Sequence, residues 1–308
     1  MRAVARAITQ VENTTGRELT RFLKELFPHT GRSFVIGVTG SPGTGKSTLV
    51  DQLARHYAAS GVKVGIILVD PTSPFSGGAI LGDRVRMQSL FTDPRVFIRS
   101  MATRGHLGGL SAAVDETLMI LDAAGFEFLI VETVGVGQDE VEIVKTAHAT
   151  LLMLVPGMGD DIQAFKAGIM EIGDIYVVNK ADRQGVSAVE KDLQELLSIA
   201  SGRSDGWTPP IIKTVATEGE GLGELADAIQ KYRSLLGESG SLKGRDISWC
   251  REQLCQLLQS RLTETILEKM PSETLDQYAE KMMTRELDPY TIVEQLLSVL
   301  GLEEECRE

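Results

Sequence analysis

Lys46 and Ser47 close the run "GSPGTGKS" (40–47), in which glycines stand at 40, 43 and 45. Glycines at these points let backbone N–H groups converge on phosphate oxygens without Cβ obstruction. A lysine there supplies a point charge to the β- and γ-phosphates, and a serine hydroxyl ligates Mg2+. The pattern is G-x-x-x-x-G-K-[ST], the phosphate-binding loop. The apolar run "SFVIGVT" before it and "TLVDQLARHYAA" after it read as strand and helix, so the positive end of the helix dipole faces the same anion. Ser41, Gly43, Thr44, Gly45, Lys46, Ser47 and Thr48 form the expected phosphate-side set, with Lys46 as its catalytic charge.

A second constellation selects the nucleotide. "VVNKAD" places Asn179, Lys180 and Asp182 just past an apolar run. N-K-x-D downstream of a phosphate loop is a guanine reader: the Asp182 carboxylate accepts from guanine N1–H and the exocyclic amine, an arrangement that adenine does not offer. Asn179 is expected to hold the loops together, and the alkyl stem of Lys180 to pack on the base. ATP would leave what reads as a buried carboxylate unpaired, a strong source of discrimination.

Between the two, "FEFLIVETVGVGQDE" delivers Glu132 at a strand tip and Gly135 three residues later. The acid is expected to hold Mg2+ through water and the glycine N–H to meet the γ-phosphate. Val136 follows that glycine where Ras-like GTPases carry a water-orienting glutamine, so the attacking water must be organised differently. In "VDPTSPFSGGAILGDRVRM" (69–87), Asp70 ends a strand, Ser76 to Gly78 form a hinge, and Asp83, Arg84 and Arg86 bring charge. Such a loop suits folding around Mg2+ and the γ-phosphate. The expected metal-side set is Ser47, Asp70, Asp83 and Glu132.

The elements that must carry these groups alternate. Apolar runs at 34–39, 64–70, 95–100, 126–132, 150–155, 175–180 and 210–216 are separated by helical stretches. Continuous apolar strands of this kind predict an α/β fold, a mainly parallel sheet covered on both faces with ligands at the strands' carboxyl ends. Residues 1–30 show helical spacing at Val4, Ile8, Val11, Leu19, Phe22, Leu23 and Leu26, and are expected to form an N-terminal helical appendage. The sheet domain then spans 31–237. "GESGSLKGRD" reads as a linker opening a helical region, 238–308. There Cys250, Leu254, Leu257, Leu258, Leu262, Ile266 and Met270 make a stripe, with further helices expected around 272–284 and 289–300.

Composition narrows the partners. A net charge of −12 argues against nucleic acid reached through a broadly basic surface. No apolar stretch has the ~20 residues of a membrane span, and the acid-bearing N-terminus reads as cytoplasmic rather than as a presequence. Cys250, Cys255 and Cys306 lack zinc spacing and read as reduced and structural. The four histidines are scattered and read as packed or surface residues.

The motifs "GSPGTGKST", "VDPTSPFSGGAILGDRVRM", "RSMATRGHLGG", "ETVGVGQDE", "PGMGDDIQAFKAGI", "NKAD" and "LDPYTIVEQLL" together resemble the MeaB/ArgK-type P-loop GTPases, G-protein chaperones of adenosylcobalamin-dependent acyl-CoA mutases such as methylmalonyl-CoA mutase. The resemblance implies a SIMIBI-like GTPase domain, a homodimer formed through the C-terminal helices, and GTP hydrolysis coupled to cofactor loading and protection of the mutase. It maps a third switch onto "PGMGDDIQAFKAGI", where Asp161, Gln163 and Lys166 contact nucleotide or partner, Gln163 and Lys166 joining Lys46, Asp83 and Glu132 in the catalytic set. It also implies a guanine contact at Ala216, although Val215–Ala216 stands where many GTPases show Ser–Ala. No D-x-H-x-x-G cobalamin motif occurs in the chain, so cobalamin is expected to be met only through the mutase. Three other readings stay open: a P-loop kinase, as relatives were once labelled; a nickel-delivery GTPase, which would want His/Cys clusters; and a non-catalytic, nucleotide-gated scaffold.

Overall fold

The computed structural model describes residues 1–13, 17–71, 87–103, 112–133, 146–157, 172–199, 206–269 and 275–298. Among them, seven strands form one sheet: β1 (Phe34–Thr39), β2 (Val64–Pro71), β3 (Val96–Thr103), β4 (Phe128–Thr133), β5 (Ala149–Leu154), β6 (Ile175–Asn179) and β7 (Ile211–Thr214). Their order is β3-β2-β4-β1-β5-β6-β7 and every pairing is parallel. All seven apolar runs expected from the sequence are strands. β1, β4, β5 and β6 are buried along their whole length, because each contributes side chains to both faces of a covered sheet.

One face packs on α3 (Lys46–Ala59) and α6 (Leu222–Glu238), through a core that includes Ile36, Leu49, Leu53, Ile130 and Ile229. The other carries α4 (Ala112–Ala123) and the N-terminal helices α1 (Arg2–Asn13) and α2 (Arg17–Leu26), whose Ile8, Val11, Leu19 and Phe22 join Val35, Val131 and Leu121. Polar anchors add to this packing. Arg99 on β3 pairs with Glu12 of α1. The Asp122 carboxylate accepts from the backbone N–H groups of Gly31, Arg32 and Ser33 and from the Ser33 hydroxyl, tying the segment between α2 and β1 to α4. α5 (Val186–Ile199) packs Val189 and Leu193 against Leu152, Leu154 and Tyr176. His148 is a packed histidine, as expected: its Nδ1 accepts from Val35 N–H at 2.9 Å.

The C-terminal region departs from the sequence reading at its start. α6 runs to Glu238 and α7 (Ser241–Lys269) begins at Ser241, so most of the expected linker is helical. Ser239 and Gly240 suffice for the break, with Gly240 in the left-handed region. The chain divides into two compact units, Met1–Asp246 and Ile247–Glu308, with the boundary inside α7. Within the second unit, α8 (Leu275–Met283) and α9 (Pro289–Ser298) bury Tyr278 and Ile292. The Asp288 side chain caps α9 by accepting from Tyr290 and Thr291 N–H. Leu254, Leu257, Leu258 and Leu262 of the predicted stripe are exposed, and so are the free thiols of Cys250 and Cys255, which the sequence reads as reduced and structural.

The first turn of α4 holds Asp115, which is buried, beside Glu116. Burial, reinforced by the neighbouring Asp115 charge, pushes the Glu116 carboxyl up from 4.5 to about 7. Between these values the folded chain keeps a proton that the unfolded chain has lost, so stability falls as pH rises from 4.5 through about 7. Glu116→Gln should remove that slope. Its stability should match the parent's near pH 4.5 and exceed it at pH 8, by on the order of 1 kcal/mol once solvent screening of this partly exposed group is allowed for. Parallel melting curves over that range are the check; identical pH profiles would show that Glu116 titrates as it does in the unfolded chain.

Candidate nucleotide site

The phosphate loop leaves β1 at Thr39 and enters α3 at Lys46, at the carboxyl edge of the sheet. Two of its glycines are required by contact. A Cβ on Gly40, at φ 137°, would run into the backbone carbonyl of Met153 on β5, and one on Gly45, at φ 95°, would lie 2.5 Å from Asn179 Nδ2. Thr44 is buried and closes the turn, its hydroxyl donating to Ser41 O at 2.9 Å. Ser41 and Thr48 are half-buried and Gly43 is exposed. Lys46 is 6% exposed, and its Nζ donates to Gly40 O at 2.6 Å and to Ser41 O at 3.2 Å. The ammonium therefore sits inside the loop at the N-terminus of α3, where helix dipole and lysine act on the same anion.

Beside it, Ser47 Oγ donates to Glu132 Oε1 at 2.6 Å, with Ser47 8% and Glu132 5% exposed. A hydroxyl and a carboxylate, both hard oxygen donors and both nearly buried beside a phosphate loop, fit the needs of Mg2+. These two residues would hold the ion. Asp70 lies in β2, whose backbone pairs with β3. Asp83, Gly135, Gln163 and Lys166, with Val136, Arg84, Arg86 and Asp161, lie outside the described residues.

The guanine-side residues arrive from β6 and β7. Asn179 ends β6, 3% exposed, and its Nδ2 donates to Thr44 O at 2.8 Å. Its Oδ1 accepts from Ala216 N–H and from Thr214 Oγ1, both at 3.1 Å. Lys180, at a left-handed φ of 57°, donates from Nζ to Gly43 O at 2.6 Å. Asn179 thus does hold the loops together, and the Lys180 ammonium ties the same turn to the phosphate loop.

One particular differs from the sequence reading. Asp182 is exposed in the turn after β6, so its carboxylate would lose water only when a base covers it. Thr214, buried at the end of β7, was missed; its signal was a lone hydroxyl in the apolar run "PIIKTVA" immediately before the base-side loop.

A parallel sheet with a phosphate loop after β1, an acid at the tip of β4 and N-K-x-D at the tip of β6 defines a P-loop GTPase. The family described as methylmalonyl Co-A mutase-associated GTPase MeaB matches residues 4–271. The chain belongs to that family. A relative from Pyrococcus horikoshii is 46% identical over 301 residues, covering 96% of this chain and 93% of that protein. The Caenorhabditis elegans protein named methylmalonic aciduria type A homolog, mitochondrial, is 34% identical over 79% of this chain and 65% of its own length. Among solved structures, one titled LAO/AO transport system kinase superposes with a TM-score of 0.72 at 27% identity, covering 97% of this chain and 92% of that one.

Among the described residues no group of three or more His, Cys, Asp or Glu side chains is placed to hold a metal ion. No described helix is long and apolar enough to cross a membrane.

Proposed function

We propose that this GTPase is a cytoplasmic chaperone of an adenosylcobalamin-dependent acyl-CoA mutase, methylmalonyl-CoA mutase or a close relative, and that it couples GTP hydrolysis to cofactor loading and protection of that enzyme. The observation that carries the nucleotide part is the direct bonding of the base-side loop to the phosphate loop, Asn179 to Thr44 and Lys180 to Gly43. One rigid unit then receives base and phosphates together. The mutase part is supported by the family's description and by the name of the nematode relative.

In this reading Lys46 and the α3 N-terminus bind the β- and γ-phosphates and stabilise charge as it shifts during transfer to water. Ser47 and Glu132 hold Mg2+, with Asp70 and Asp83 assigned to its outer ligands; when bound, the ion neutralises phosphate oxygens. Asp182 reads guanine and Ala216 lines the base. Gly135 senses the γ-phosphate, and Gln163 and Lys166 act at the switch that meets the partner. Cobalamin is met only through the mutase. The exposed leucines of α7 supply an apolar face for a second copy, as expected for a homodimer. A kinase reading has no use for a guanine reader, and a nickel carrier would want the His/Cys clusters that the sequence lacks.

With Val136 following Gly135, the isolated protein should hydrolyse GTP slowly, since an unpositioned water carries the full orientation cost. A cognate mutase should raise the rate by about tenfold or more by selecting the competent state. Steady-state phosphate release with and without mutase measures this. Titration calorimetry in GTP-analogue and GDP states should show the reciprocal change in mutase affinity. Equal rates and nucleotide-independent binding with every acyl-CoA mutase of the source cell would sink the chaperone reading and leave the GTPase.

A further inference from the structure

Backbone pairing between β1 and β4 stops at Val38 and Glu132. One residue further, Thr39 is paired outward to Leu152 of β5 and Thr133 outward to Val69 of β2. Across the seam between them the link is made by side chains. Thr133 Oγ1 lies 3.2 Å from Thr39 Oγ1 and 3.5 Å from Val38 O, and the two threonines are 1% and 0% exposed. Two hydroxyls buried side by side in a mostly apolar sheet carry a desolvation cost that their mutual bond, with the longer contact from Thr133 to Val38 O, must offset. Valine would fill the same space without that cost.

The position of this pair suggests its use. Thr39 is the last residue before the phosphate loop, and Thr133 directly follows Glu132. Because side chains alternate along a strand, Thr133 points to the α4 face while Glu132 points to the α3 face, where Ser47 meets it. Rotation of the β4 tip about its own axis would therefore move both side chains together. Thr39, the phosphate loop, Ser47, Glu132 and Thr133 close into a ring, joined by chain on two sides and by hydrogen bonds on the other two.

Resting on the reading of Ser47 and Glu132 as the Mg2+ holders, we propose that Thr39 and Thr133 are positioning residues: their hydroxyl pair locks the β4 tip to the entrance of the phosphate loop and so sets the Glu132 carboxylate against Ser47 for divalent-cation binding. Neither threonine touches nucleotide or metal in this role. Both act through Glu132.

The test uses the full chain with GDP, reading Mn2+ affinity by electron paramagnetic resonance and nucleotide affinity in EDTA separately. Thr133→Val should weaken Mn2+ binding by about three- to tenfold, the range of one buried hydrogen bond, with GDP affinity in EDTA within about twofold of the parent. Thr39→Val should do the same from the other side, the double variant should be no weaker than Thr133→Val alone, and Thr133→Ser should restore binding. If Thr133→Val does not fold, Thr39→Val reads the same contact. Mn2+ affinity at the parental level in the valine variants, including variants that merely melt earlier, would assign the pair to packing alone and overturn the proposal. A parent chain that shows no metal-dependent GDP complex would overturn both this role and the reading of Ser47 and Glu132 beneath it.

Discussion

Lys46→Ala is expected to lower GTP hydrolysis by about 10²-fold or more, the loss typical of removing one preorganised electrostatic group from a water-poor site. Lys46 is 6% exposed and held at the mouth of α3 by the carbonyls of Gly40 and Ser41, so its charge needs little reorganisation to meet a phosphate. Alanine removes that charge and leaves two carbonyls turned toward an anion. Ser47→Ala should lose hydrolysis on a similar scale, by deleting the hydroxyl that meets Glu132. Single-turnover phosphate release measures both, with circular dichroism to show that the variants are folded. Parental rates in both would place hydrolysis outside this loop.

The second large effect concerns the base. Asp182→Asn should weaken GTP and GDP binding by about a hundredfold or more while favouring xanthine nucleotides, which present an acceptor where guanine carries its amine. The carboxylate lies exposed in the turn after β6, so the change should leave the fold intact and act through the bound base alone. The turn itself is fixed: Ala181 N–H donates to Thr214 O at 3.1 Å, and Asn179 and Lys180 tie it to the phosphate loop. Replacing one carboxylate oxygen, an acceptor, by an amide NH2, a donor, at a fixed turn is what exchanges one purine for another. Competition binding with GTP, XTP and ATP on the parent and the variant decides the matter, and unchanged GTP affinity in Asp182→Asn would remove the guanine-reading claim.

How much of this was legible in the chain differs from residue to residue. Val35, Ile36 and Val38 announce a buried strand because a parallel strand covered on both faces must be apolar throughout, and that requirement is local. Gly40, Gly45 and Lys46 announce a phosphate loop because backbone approach to an anion restricts residue type at fixed spacing. The linker expected at 237–246 is mostly helical because Gly and Ser weigh only tenths to about 1 kcal/mol against a helix, and a long helix overrides such a preference. The motif of Asp182 implies a carboxylate covered by a base, but its exposure depends on what stands above the turn, and spacing does not contain that.

The sequence by itself determined the class of fold and singled out Lys46, Ser47, Glu132, Asn179 and Asp182 as candidates, since each follows from residue type and short-range period. Tertiary structure decided what those residues touch. That Ser47 meets Glu132 across 85 positions, that Asn179 reaches Thr44 across 135, and that Thr133 bonds Thr39 across 94 are consequences of strand order β2-β4-β1-β5-β6. Strand order is set by how helices of given length and apolar face pack across the sheet, a sum over many weak contacts that no single stretch of sequence encodes.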